Sequence, residues 1–235
     1  MSGAMALRSS RGRLIAIEGI DGSGKGTQAA LLRDALVARG LKTALISFPR
    51  YRDTFFGARI GDFLNGRFGS LSEVHPFLAA TLFAGDRLES RPMLLEAIAT
   101  HDVVVLDRYV ASNIAHQAAK REGDERRTLA EWILDLEYDV NQLPQPDLAV
   151  LLDLPAATAQ TLIARKNARS YTDRAVDLQE ADAQYLEKVR KVYLDLAAND
   201  AAWRVIDVER HGALRTIDEI AAELLDLAVG VITAG

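Results

Sequence analysis

Residues 14–28, LIAIEGIDGSGKGTQ, decide the fold of this chain. Leu14–Glu18 is a short apolar run that reads as a buried strand. Gly19–Gly24 is a glycine-rich loop. Thr27–Arg39 sets Leu32, Ala35 and Leu36 at helical spacing, and Gly40 is a natural stop. A strand, a glycine loop and a helix in that order are the context of a phosphate-binding loop. Glycines let backbone N–H groups turn toward an anion, and the start of the helix adds a positive partial charge. Lys25 then reaches β- and γ-phosphates as a point charge. The usual pattern, G-x-x-x-x-G-K-[ST], ends in a hydroxyl that meets a magnesium ion. Here Gly26 stands in that place, and Thr27 brings a hydroxyl one position later.

Outward from the loop, strands and helices alternate. Thr43–Phe48 reads as a second strand, cut off by Pro49. Val74–Thr100 reads as helical, in two pieces broken near Arg91–Pro92. Val103–Leu106 is apolar throughout and closed by Asp107, the pattern of a strand buried on both faces. Arg126–Asn141 reads as a helix and Leu148–Leu152 as a strand. Pro155 then opens a helix that runs to about Arg165. Lys166–Asp177 is polar and irregular. Ala181–Ala198 carries an apolar stripe at Tyr185, Val189, Val192 and Leu196. Trp203–Val208 is a last strand and Thr216–Ala228 a last helix. This order predicts an α/β fold, a central parallel sheet with helices on both faces. One domain is expected over residues 13–230, with short tails at 1–12 and 231–235.

Composition narrows the class. The chain has 235 residues, a net charge of −5 and no cysteine. The charge argues against a general nucleic-acid or membrane-surface binder. Without cysteine, disulfides, thiolate catalysis and cysteine metal sites are excluded. No apolar run of membrane-spanning length and no secretory leader is legible, so the expected place is the cytoplasm.

Asp107-Arg108-Tyr109 follows the Val103–Leu106 strand. In open parallel sheets, ligands bind beyond the C-terminal strand ends. An Asp there can orient metal-bound waters or a hydroxyl, and an Arg can clamp phosphate. A purely structural Asp–Arg pair is the other possibility. Taken together, IEGIDGSGKGTQ (Ile17–Gln28), FPRY (Phe48–Tyr51), TLFAGDR (Thr81–Arg87), LDRYVASN (Leu106–Asn113), LPQPD (Leu143–Asp147) and DLQE (Asp177–Glu180) resemble thymidylate kinases. These P-loop enzymes phosphorylate dTMP with ATP. The closest likeness is to bacterial members, and it runs from about residue 13 to about residue 230.

The resemblance implies the following roles. Gly19, Ile20, Asp21, Gly22, Ser23, Gly24, Lys25, Gly26 and Thr27 would bind ATP. Phe83 would stack on thymine and Phe48 would wall its pocket. Arg87 would bond a thymine carbonyl, and Asn113 would read the base edge. Tyr51 and Arg108 would hold the acceptor phosphate, Asp21 would touch the sugar, and His116 and Asp177 would lie near it. Lys25, Asp107 and Arg108 would be catalytic. Each has a bland alternative: Phe48 and Phe83 as core, Arg87 as a surface partner of Asp86 or Glu89, Asn113 as a helix cap. The string GKGT also resembles adenylate kinases, so Gly26 does not imply an inactive site. Mg2+ would be held through waters, with Asp21, Asp107 and Thr27 as the candidate groups.

Family members close a basic lid over ATP, here expected at residues 165–177. Their catalytic arginine comes from the phosphate loop or from the lid. Gly22 and Ser23 carry no charge, so Arg169 and Arg174 are the candidates. His116 stands where close relatives often have a tyrosine near the sugar, which puts discrimination against ribose in question. A homodimer is the family's habit. Two competing functions remain, another nucleoside monophosphate kinase and a nucleotide-binding regulator without catalysis.

Overall fold

The computed structural model describes residues 12–70, 73–164 and 183–234. Strand β1 (Arg13–Glu18) sits at the centre, and Leu14, Ile15, Ala16 and Ile17 are buried almost completely. It pairs in parallel with β3 (Val103–Asp107) on one side and β4 (Leu148–Asp153) on the other. Strands β2 (Thr43–Ser47) and β5 (Trp203–Asp207) extend the sheet to the order β2-β3-β1-β4-β5, all parallel. Central strands need apolar residues on both faces, which is why β1, β3 and β4 are continuous apolar runs.

Helix α1 (Lys25–Ala38) packs with α8 (Ile217–Thr233). Helix α4 (Val110–Ala118) packs with α3 (Pro76–Thr100), α5 (Gly123–Leu134) and α7 (Ala183–Asn199). Helix α6 (Ala156–Ile163) packs with α7. The register brings Ile17 of β1 beside Asp107 of β3, so the loop after β1 and the turn after β3 leave the sheet side by side. No helix among the described residues is long and apolar enough to cross a membrane.

Two expectations change, and three elements are added. Helix α3 is not broken at Pro92 but runs through it. The proline removes the bond to the Leu88 carbonyl. Both residues lie on the exposed face, and Ser90, Leu94, Ala97 and Ile98 anchor the buried face. The helix expected at Arg126–Asn141 begins earlier, at Gly123, and widens into a π-helical segment over Asp135–Val140. Two helices were not legible as such. Helix α2 (Phe55–Leu64) is capped by the Thr54 hydroxyl, which accepts from Gly57 N at 2.8 Å. Helix α4 coincides with the motif VASN and its continuation. A two-stranded ribbon, β6 (Glu209–Arg210) with β7 (Ala213–Leu214), follows β5.

Candidate active site

The glycine loop turns as its sequence requires. Gly24 takes φ 89° immediately before α1, a conformation open to glycine at no steric cost. Gly22 has φ 87°, and a Cβ there would lie 2.8 Å from the Ala159 carbonyl of α6. Lys25 is buried and its Nζ donates to the Ile20 carbonyl at 2.7 Å. Burial, with the Arg108 charge beside it, pushes this ammonium down to about 7, against the pull of Asp21, Asp107 and Glu18. The Ser23 hydroxyl is buried and makes no bond among the described residues.

The geometry also accounts for Gly26. A Cβ at this position would lie 3.1 Å from Asp107 Oδ2. A serine or threonine would therefore press on the carboxylate and fill the space in front of it. Thr27 is exposed on the next position of α1.

Arg108 joins the two strand ends. Its backbone takes φ 68°, a strained region for a side chain of this size, and its N–H donates to Ile17 O at 3.0 Å. The guanidinium pairs with Asp21 and donates to Ser112 Oγ at 3.2 Å and to Gly19 O at 3.3 Å. Burial works against its charge, but Asp21 and the other acids nearby hold it well above its ordinary range. Behind it lies a group the sequence did not single out, Glu18. This carboxylate is fully buried and accepts from Ser112 Oγ at 2.6 Å, Tyr109 N at 2.7 Å and Tyr193 OH at 3.0 Å. Burial pushes its carboxyl up, opposed chiefly by the Ser112 bond.

Helix α4 carries this network to a second cluster. Asn113, next to Ser112, is buried and donates from Nδ2 to Glu137 at 2.9 Å and to Ala80 O at 3.0 Å. Arg87 of α3 donates from Nε to Glu137 at 2.9 Å and forms a second, shorter bond from Nη2. Arg87 is therefore paired with neither Asp86 nor Glu89, and Asn113 lies inside α4 rather than at its cap. Burial opposes the Arg87 charge, and Glu137 outweighs that and raises its pKa. Glu137 was not anticipated from the sequence. A signal for it existed, because Leu129, Ile133 and Glu137 share one face at spacings of four, and the acid interrupts an apolar stripe.

The aromatic candidates separate. Phe48 belongs to the main core, with its ring tilted against Tyr109 at 6.0 Å. Phe83 is half-buried and meets Phe63 edge-on at 6.5 Å, and Tyr51 packs against the same small cluster. The segment that carries Tyr51 is tied to α3 by Asp86, which accepts from Arg50 N at 3.0 Å and from the Thr54 hydroxyl.

His116 is buried on α4. Its carbonyl accepts from Tyr185 OH at 2.7 Å, and its Nδ1 lies 3.3 Å from the same hydroxyl. Burial, then the Arg108 charge, lowers its pKa to about 3. The sign follows directly. The unfolded chain takes up a proton near 6.5 and the folded one does not. Stability is therefore intact above that pH and is lost as the pH falls below it. His116→Gln should lose about 2 kcal/mol less than the parent between pH 7 and pH 5. Urea unfolding at the two pH values measures this, and equal losses would contradict the assignment.

Arg169, Arg174 and Asp177, with the rest of the expected lid, lie outside the described residues. Among the described residues no group of three His, Asp or Glu could enclose a metal ion. The donor set instead suits Mg2+ carried on nucleotide phosphates, which keeps waters and needs only one or two carboxylates. Asp107, facing the space that Gly26 leaves open, fits this. Asp21 is already tied to Arg108.

A parallel sheet in this order, a glycine loop with its lysine after the central strand, and an Asp-Arg turn beside it define a P-loop nucleotide kinase. The family model described as thymidylate kinase matches residues 17–219. A thymidylate kinase of Mycobacterium tuberculosis is 36% identical over 200 residues, covering 83% of this chain and 92% of its own. A probable thymidylate kinase of Pyrococcus abyssi is 32% identical over 219 residues, covering 92% and 96%. Among solved structures, a thymidylate kinase from Candida albicans superposes with a TM-score of 0.75 at 27% identity, over 97% of this chain and 96% of that one. The chain belongs to the thymidylate kinase family.

Proposed function

We propose that the two clusters joined by α4 are the two halves of one acceptor site, phosphate at Arg108 and base at Arg87 and Asn113. The reaction is that of the family, transfer of the γ-phosphoryl group of ATP to dTMP, giving ADP and dTDP. One observation supports this most strongly. Ser112, bonded to Arg108, and Asn113, bonded to Glu137, are consecutive residues, so a single rigid turn spaces phosphate from base.

Phosphoryl transfer asks the protein for position and charge stabilisation more than for covalent chemistry. Lys25 and the loop amides stabilise the moving phosphoryl group. Arg108, with Tyr51, holds the acceptor phosphate in line. That phosphate is already anionic, so no general base is required. Asp21, oriented by Arg108, faces the sugar. Phe83 offers its half-buried ring to the base, while Phe48 supports the pocket from within the core. Mg2+ on the ATP phosphates would neutralise developing charge, with Asp107 as its protein partner, since Asp21 is tied to Arg108. Arg169 and Arg174 supply the lid's positive charge.

We further propose a homodimer in the cytoplasm, the compartment that holds both nucleotides. Exposed apolar side chains on α2 and α3, Phe55, Leu78, Leu88 and Leu95, support the association. Light scattering that gives a monomer mass at micromolar concentration would rule the dimer out.

A steady-state panel of dTMP, AMP, GMP and CMP with ATP and magnesium tests the reaction. dTMP should be consumed at least about 100-fold faster in kcat/KM than any of the others. Preference for another monophosphate would mean a different nucleotide kinase. Binding of dTMP and ATP without turnover would mean a regulator.

A further inference from the structure

The Asn113 side chain is locked in one of its two possible orientations. Both hydrogens of its amide are committed, one to the Ala80 carbonyl at 3.0 Å and one to a Glu137 oxygen at 2.9 Å. Each of these partners is an acceptor without a hydrogen to give. If the amide turned over, its oxygen would face two acceptors at hydrogen-bond distance and both bonds would become repulsions. Asn113 Oδ1 is thus left as the free end, and it is buried with no partner among the described residues. The pocket can offer at this point only an acceptor.

The same carboxylate fixes Arg87. Glu137 takes the Nε hydrogen and one Nη2 hydrogen, and both side chains are buried. Three of the five guanidinium hydrogens remain, and all are donors. A buried Arg held on one edge cannot rotate to present anything else.

We propose that Glu137 is a positioning residue that sets the hydrogen-bond polarity of the base pocket, so that the ring nitrogen it reads must carry a hydrogen and the neighbouring exocyclic group must be a carbonyl. The inference rests on the placement of the base at Arg87 and Asn113 made above. Thymine and uracil have this pattern, with N–H at position 3 and a carbonyl at position 4. Cytosine has the inverse at both points, a bare ring nitrogen and an amino group. It would set acceptor against acceptor at Asn113 and donor against donor at Arg87. Sites built on buried polar complementarity reject such mismatches by far more than apolar pockets do. The widened π-helical turn at Asp135–Val140 is what carries this carboxylate into the core.

The test compares dTMP with dCMP, ATP being the donor. In the wild type, kcat/KM should favour dTMP by about 10,000-fold or more. In Glu137→Gln an NH2 replaces one carboxylate oxygen and meets a guanidinium hydrogen of Arg87 whichever way the amide turns, so the fixed edge of Arg87 is lost, while Ala80 O still holds one hydrogen of Asn113. The dTMP-to-dCMP ratio should then fall by about tenfold or more. A folded Glu137→Gln that loses both activities in proportion, with the ratio unchanged, overturns the proposal. If that variant does not fold, the wild type decides by side-chain ¹⁵N–¹H NMR. Protection of both Asn113 amide hydrogens from exchange before any nucleotide is added supports the lock, and free exchange of either overturns it. A wild type that prefers dCMP or a purine monophosphate would instead refute the assigned reaction.

Discussion

Lys25→Ala should lower kcat for dTMP by about three orders of magnitude while leaving the protein at least as stable as the parent at pH 7. The loss of rate follows from the place of Lys25 at the first turn of α1, the one ammonium on the glycine loop. Backbone amides alone keep binding anions, so ATP should still bind, more weakly. The stability result follows from burial. The folded protein holds this ammonium down at about 7, below its ordinary 10.5. Folding is therefore penalised wherever the unfolded chain carries that charge, fully below pH 7 and vanishing as the pH rises toward 10.5. Alanine removes the penalty. The unfolding midpoint of the variant should equal or exceed that of the parent at pH 7, and its advantage should shrink at pH 9. Turnover close to wild type would remove Lys25 from the mechanism and leave the loop a structural turn.

Arg108→Ala should damage both activity and stability. The guanidinium joins the β1 loop to α4 through Asp21, Gly19 and Ser112. Its removal takes the guanidinium away from Asp21 and from the fully buried Glu18. Uncompensated carboxylates in such surroundings cost about 3 kcal/mol or more. The acceptor phosphate also loses its clamp, so kcat/KM for dTMP should fall by about a thousandfold or more. Arg108→Lys separates the effects. It keeps the charge and should recover most of the stability, but a point charge cannot reproduce three directed bonds. Its kcat/KM should remain about a hundredfold down. Thermal unfolding beside steady-state kinetics reads both quantities. A lysine variant with full activity would show that only charge is needed.

Much of this was legible in the sequence, for identifiable reasons. Strands β1, β3 and β4 are apolar on both faces, so composition alone marks them. The glycine loop is marked by its backbone requirement. Helix α2 escaped because two glycines, Gly57 and Gly61, weaken its helical character. Its Thr54 cap gave the better clue. Pro92 was overweighted, since a proline on a solvent face frees a carbonyl that water can satisfy. In the site, Lys25, Asp21, Arg108 and Asn113 could be named from their motifs. Glu18 and Glu137 could not, because each acts through other side chains from within the core. Glu137 left a trace as an acid in the Leu129–Ile133 stripe, but the pairing of both appears when partners distant in sequence, such as Tyr193 or Arg87, are brought beside them.

The packing of Gly22 limits how this enzyme can be redesigned or can drift. A catalytic arginine carried by the glycine loop would stand at position 22. In this chain the loop position has a left-handed backbone and meets α6 at once, with Ala159 and Ile163 closing over it. Helix α6 is also the element from which the chain enters residues 165–182. An arginine placed at position 22 would thus displace the last turn of α6. Such a change is not one substitution but a correlated set, a glycine and a helix face altered together.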